Sequence, residues 1–113
     1  IAAAAITKIT AFIPQSISAT AWSCAKLLLF PMPLLDALSA AAIATLSAFA
    51  SQNIANTAWA FAKLLLKDPP LMNSISSASL AKLHEAIPKE LSSTAWAFAK
   101  LGIEDQTLLD AIA

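Results

Sequence analysis

The sequence predicts an all-α fold, an α-solenoid of antiparallel helical hairpins, and three observations predict it. The stretch Thr57-Ala58-Trp59-Ala60-Phe61-Ala62-Lys63-Leu64 has counterparts at Thr20–Leu27 and Thr94–Leu101, two steps of 37 residues without slippage. A fixed period in the thirties that keeps a Trp and several Ala is the mark of a stacked helical repeat. Hydrophobic residues make up 58% of the chain, much of it Ala, the best helix former, and a single Gly stands at position 102. The third observation is punctuation: Pro and Asp recur where helices must start and stop.

Taken in order, residues 1–11 align with 38–48 and 75–85, Ile6 matching Ile43 and Leu80, and Ile9 matching Leu46 and Leu83. They read as the second helix of a preceding repeat. Repeat one is 12–48, repeat two 49–85 and repeat three 86–113, the last cut short, so the chain reads as a piece of a longer array. The first helix of each repeat starts near Pro14, Ser51 and Pro88, with Pro in the first turn and Ser51 as an N-cap. In repeat two, Ile54, Ala58, Phe61 and Leu65 form one apolar face, and Ala55, Trp59, Ala62 and Leu66 an adjoining one. A helix apolar over so much of its circumference is packed on two sides. The polar remainder is Gln52, Asn56, Lys63 and Lys67.

The first helices end before Phe30-Pro31, Asp68-Pro69 and Asp105-Gln106, where Asp68 and Asp105 cap the second helices. Those carry Leu34, Leu35 and Leu38, then Leu71, Met72 and Ile75, then Leu108, Leu109 and Ile112. Short connections between them imply antiparallel hairpins, stacked around a continuous core.

Chemistry-bearing residues are few. Cys24 is alone, which excludes an internal disulfide or a Cys-based zinc site, and it reads as a small buried hydrophobe. His84 is the only histidine and falls near a helix end, without a partner nucleophile or orienting acid. No Gly-rich phosphate loop and no metal constellation exists, so the reading is not an enzyme, with no cofactor, metal or small-molecule substrate. Residues 37–62 carry no charge, but Ser51, Gln52, Asn53 and Asn56 interrupt the run, against a membrane span.

What remains is repeated. Trp22, Trp59 and Trp96, flanked by Ala, are expected to fill the space between repeats as structural core, together with Phe61 and Phe98. Thr20, Thr57 and Thr94 are expected to back-bond within their helices. Lys26, Lys63 and Lys100 make a row of positive charge able to track a phosphate backbone, although the chain's net charge is zero and every basic residue is Lys. Polar positions Gln15, Gln52 and Lys89, with Asn56 and Ser93 one turn on, complete a candidate RNA- or partner-binding set.

Residues Ser51 to Leu64 and Pro88 to Gly102 resemble the first helix of octotricopeptide repeats of algal or dinoflagellate type. They are similar also to the repeats that precede RAP domains in FAST-kinase-like proteins. The shared pattern is Pro-Gln-x-Leu-x-Asn-Thr-x-Trp-Ala-x-Ala-x-Leu-Gly, and it covers nearly the whole chain. Here the period is one residue short and no RAP domain follows. The resemblance implies an α-solenoid that binds single-stranded RNA in a chloroplast or mitochondrion and acts in post-transcriptional regulation. Some relatives instead serve as structural subunits of organellar ribosomes. The alternative expectation is therefore a scaffold docked on protein subunits of a large organellar assembly such as a ribosome or photosystem.

Overall fold

The computed structural model describes residues 14–28 and 31–112, so the helix expected over 1–11 lies outside the described residues. The described residues are all-α, without a strand. Among the described residues six α-helices follow one another: α1 (Pro14–Leu27), α2 (Met32–Thr45), α3 (Ser51–Lys63), α4 (Pro69–Ala81), α5 (Pro88–Lys100) and α6 (Gln106–Ile112). Short 3-10 turns, Leu46–Ala48 and Leu83–Glu85, extend α2 and α4. Helices two apart in the chain lie side by side: α1 packs on α3 and α3 on α5, while α2, α4 and α6 form a second row.

Small side chains permit the close approach of the first row. Ala21, Ala25, Ala55, Ala58 and Ala62 are all buried there. Phe61, Phe98, Leu35, Leu38, Leu71, Ile75 and Leu108 fill the space between rows. Each large side chain buried in this way stabilises the fold by about 1.5–3 kcal/mol. Cys24 belongs to the same core, and burial pushes its thiol pKa up. Thr20, Thr57 and Thr94 donate to Ser16, Asn53 and Glu90 carbonyls at 2.8, 2.8 and 2.9 Å, one turn back.

Helix starts fall at the expected Pro14, Ser51 and Pro88, but the capping differs. Ser51 is not the N-cap; Ala50 is. The Ser51 N–H donates to Glu85 Oε1 at 3.1 Å and its hydroxyl to Glu90 Oε1 at 2.7 Å, so one carboxylate from the far end of the same hairpin and one from the next helix meet this helix end. Asn53 and Glu90, each in the third helical position, accept from the Ala50 and Ile87 N–H groups. Asp68 caps α4 by accepting from Leu71 N–H at 3.2 Å. Asp105 accepts from Leu108 N–H at 3.0 Å and from the Ser76 hydroxyl. Lys82 Nζ donates to the Ser47 and Phe49 carbonyls, in the connection between α2 and α3, tying the end of α4 to the end of the first hairpin.

The first-row helices stop several residues before the expected Asp and Pro signals. The cause is a left-handed residue at the same repeat position each time: Leu28 (φ 53), Leu65 (φ 58) and Gly102 (φ 69). Leu66 N–H donates to Phe61 O and Leu65 N–H to Ala62 O, and Ile103 and Gly102 repeat the pattern with Phe98 and Ala99. This is the Schellman closure of a helix C-terminus. Leu65, expected on the apolar face of α3, lies past the helix end and is exposed, because the reversal turns it away from that face.

Two stability tests follow from these ends. A Cβ at Gly102 would meet nothing within 4 Å, so the Gly102→Ala loss comes from the backbone alone. It should be about 1 kcal/mol by urea denaturation. The Ser76 hydroxyl, and after it the Leu108 N–H, hold the Asp105 carboxyl below its ordinary pKa, against a smaller opposing effect of burial. Its stabilisation is complete above the unfolded-state value of about 3.9 and lost as pH falls through the lower folded value. The stability difference between wild type and Asp105→Asn should therefore shrink as pH drops below about 4.

Candidate nucleic-acid interface

The exposed side of the first row carries one side-chain series three times over. On α3 the residues Gln52, Asn56, Trp59 and Lys63 stand four, three and four apart, which places them on one helical face. Gln15, Ala19, Trp22 and Lys26 are the same series on α1, and Lys89, Ser93, Trp96 and Lys100 on α5. Lys26, Lys63 and Lys100 are all exposed.

Of the three indoles expected in the core, only Trp59 packs against it. Trp22 and Trp96 are each 41% exposed, and Trp59 is half-buried with its body against the core. Flanking Ala suggested a buried ring, but helical spacing puts each Trp in the middle of the polar stripe. That stripe was legible in the sequence and was the signal missed. Phe61 and Phe98, two positions on from Trp59 and Trp96, are the aromatic residues that are buried.

The three rings form a continuous ladder. Trp22 and Trp59 have centroids 6.0 Å apart with 33° between planes, and Trp59 and Trp96 6.3 Å with 28°. The first pair is tilted and the second stacked, both within the 4.5–7 Å range of favourable aromatic pairs, and each is worth about 0.5–1.5 kcal/mol. Trp22 and Trp96, at the two ends of the ladder, keep much of their surface open to solvent. Lys26 Nζ lies 5.2 Å from the Trp22 centroid, over its face.

Between the helices are two clefts. Gln15, Ser18, Ala19, Trp22, Gln52, Asn53 and Asn56 line the first, between α1 and α3. Gln52, Ala55, Asn56, Ile87, Lys89, Glu90 and Ser93 line the second, between α3 and α5. The structure thus gathers Gln15, Gln52, Asn56, Lys89 and Ser93 along the clefts, with Lys26, Lys63 and Lys100 one turn beyond the Trp ladder. Asn53 is already committed, through Ala50 N–H and the Ser18 hydroxyl at 3.4 Å. The acid on this side, Glu90, is held by Ile87 N–H and Ser51. Its uncommitted charge is therefore carried by Lys, while His84 stands exposed at the α4 end, away from this row.

Among the described residues no cluster of His, Cys, Asp or Glu could hold a metal ion, and no helix is long and apolar enough to cross a membrane. A cationic face with open aromatic surface and side-chain amides can hold phosphates, stack on bases and hydrogen-bond their edges.

Comparison with known families finds one match over residues 1–113, to the model described as "RESC6: RNA-editing substrate-binding complex 6 protein". No curated protein matches the chain.

The ladder sets an order of mutational cost. Trp59 touches two rings and is half-buried, so Trp59→Ala should cost about 2–4 kcal/mol in chemical denaturation. Trp22→Ala, losing one ring contact from a more exposed site, should cost about half as much. Equal losses at the two positions would show that the rings do not act as a ladder.

Proposed function

The chain belongs to the RNA-editing substrate-binding complex 6 protein family, and from that premise we propose that it is a non-catalytic component of such a complex that holds single-stranded RNA along the α1–α3–α5 face. The observation that carries this reading is the pairing of an open indole ladder with Lys26, Lys63 and Lys100 on the same helical faces. Phosphates would lie along the Lys row and unpaired bases over the indole rings and the amides of Gln15, Gln52 and Asn56. The hairpins are read as one section of an α-solenoid of 37-residue repeats, with units at 12–48, 49–85 and 86–113. The octotricopeptide likeness is then a likeness of the Trp-bearing helix. RNA-editing complexes of this family are mitochondrial, which supports the mitochondrion as the site of action. A component of a complex has protein neighbours too, so a scaffolding role can accompany RNA binding on other surfaces.

The test is the variant with Lys26→Gln, Lys63→Gln and Lys100→Gln in the full-length protein, titrated with single-stranded RNA at several salt concentrations. Single-strand contacts each contribute about 0.7 to the slope of log affinity against log salt, so the slope should fall in magnitude by about 2. An unchanged slope would overturn the reading. A matched duplex should bind more weakly than the single strand, because its bases are stacked away from the indoles.

A further inference from the structure

The two clefts between the first-row helices share α3 and differ at one corresponding position. Gln15, Gln52 and Lys89 are each the second residue of their helix. Gln15 and Gln52 line the α1–α3 cleft, and Gln52 and Lys89 the α3–α5 cleft. The exchange changes what a cleft can do. A side-chain amide holds a donor and an acceptor and can turn over to present either, whereas an ammonium group only donates. Amides alone suit base edges of either polarity. Lys89 sets a donor in its cleft and leaves the acceptor to Gln52 and Asn56.

Lys89 is set apart from the row of Lys26, Lys63 and Lys100 by its place on the helix. It lies eleven residues before Lys100, about 16 Å along the axis of α5, with Trp96 between them. Asn56 and Ser93 stand one turn before Trp59 and Trp96. A strand with its phosphates at Lys63 and Lys100 and a base over that ring pair thus turns the base edge toward Asn56, Ser93 and Lys89. Glu90 also lines the cleft, and a carboxylate attracts amino groups. Its Oε1, however, accepts from Ile87 N–H at 3.1 Å and from the Ser51 hydroxyl at 2.7 Å, which holds it at the helix starts, whereas Lys89 is exposed.

On the premise that this face holds single-stranded RNA, we infer that the α3–α5 cleft selects a keto base, uracil or guanine, through Lys89. Both bases present a carbonyl oxygen beside a ring N–H. Lys89 donates to the carbonyl, and the amide oxygen of Asn56 or Gln52 accepts from the ring N–H. Cytosine and adenine present the reverse order, an amino group beside an unprotonated ring nitrogen. Their amino group meets the ammonium donor to donor, and a donor left without an acceptor costs more than an ordinary hydrogen bond contributes.

The experiment titrates the full-length protein with oligouridylate and oligocytidylate of equal length, two strands with the same backbone and the same ring size. Their affinity ratio cancels the phosphate contribution and leaves the base edge. In Lys89→Gln the preference for uridylate over cytidylate should fall about fivefold, the scale of one net hydrogen bond. In Lys89→Glu it should fall further, because a carboxylate accepts from the cytosine amino group. Lys89 is exposed, so both variants should keep the wild-type melting temperature. A ratio unchanged in Lys89→Gln, even with both strands bound more weakly, would overturn the inference and make Lys89 one more phosphate contact. That result leaves the salt slope of the Lys26, Lys63 and Lys100 variant as the separate test of RNA binding. Absence of binding to either strand would overturn both readings.

Discussion

Close approach of α1, α3 and α5 is the constraint on which the rest of this structure depends. Ala at the contact positions lets the backbones come near, and every other feature of the row follows from that distance. Were these positions Leu, the helices would sit further apart and the indoles would lose contact. Because they are Ala, three Trp at one repeat position are brought to centroid separations of 6.0 and 6.3 Å. A residue type poor in contact energy by itself thus sets up the richest contact on the surface. The core proper is carried by the Phe and Leu side chains between the two rows, where burial is complete.

The connections between hairpins are held by polar groups that reach between helices. Glu85 and Glu90 meet the start of α3, Lys82 meets the end of the first hairpin's second helix, and Asp105 binds Ser76. Glu85 and Lys82 each join a side chain to unsatisfied backbone groups at a helix terminus, while Glu90 and Asp105 accept from the Ser51 and Ser76 hydroxyls. Acids meet N–H groups at a helix start and a lysine meets carbonyls at a helix end, as the helix dipole favours. Charges so placed are unavailable to a ligand. This distribution is why a chain of zero net charge can still present a cationic face: several of its acids are spent on capping and inter-repeat contacts, while Lys26, Lys63 and Lys100 project from helix C-terminal turns into solvent.

The helices were legible in the sequence because periodicity and Pro punctuation act locally. Pro14, Ser51 and Pro88 begin their helices as read, and Asp68 caps as read. Three features were not. The Schellman closures end the helices early, and nothing in a Leu announces a left-handed backbone as Gly102 does. The N-cap role given to Ser51 failed because carboxylates 34 and 39 residues away bind it, a contact no local pattern encodes. The placement of Trp22 and Trp96 differs for another reason, while Trp59 does pack against the core. The Trp position within the Gln52, Asn56 and Lys63 stripe was visible, but ring size was weighed above helical phase. For a residue with a large apolar body and a polar edge, phase is the better guide to which side it faces.

The kind of recognition this face can support follows from its residue types. Lysine is a compact, strongly hydrated point charge on a flexible stem, and the chain has no arginine to make bidentate contacts. A row of lysines positions a backbone without reading it, and indole faces stack on any base. Sequence information on the proposed RNA surface is thus confined to the amides and hydroxyls of the two clefts. These are not equivalent. The α1–α3 cleft offers Gln15, Gln52 and Asn56, neutral groups that both donate and accept. The α3–α5 cleft shares Gln52 and Asn56 but adds Lys89, a pure donor, with Ser93. On the proposed RNA surface, similar frames with unlike clefts would let one hairpin differ from the next in what it prefers while all of them hold the strand alike.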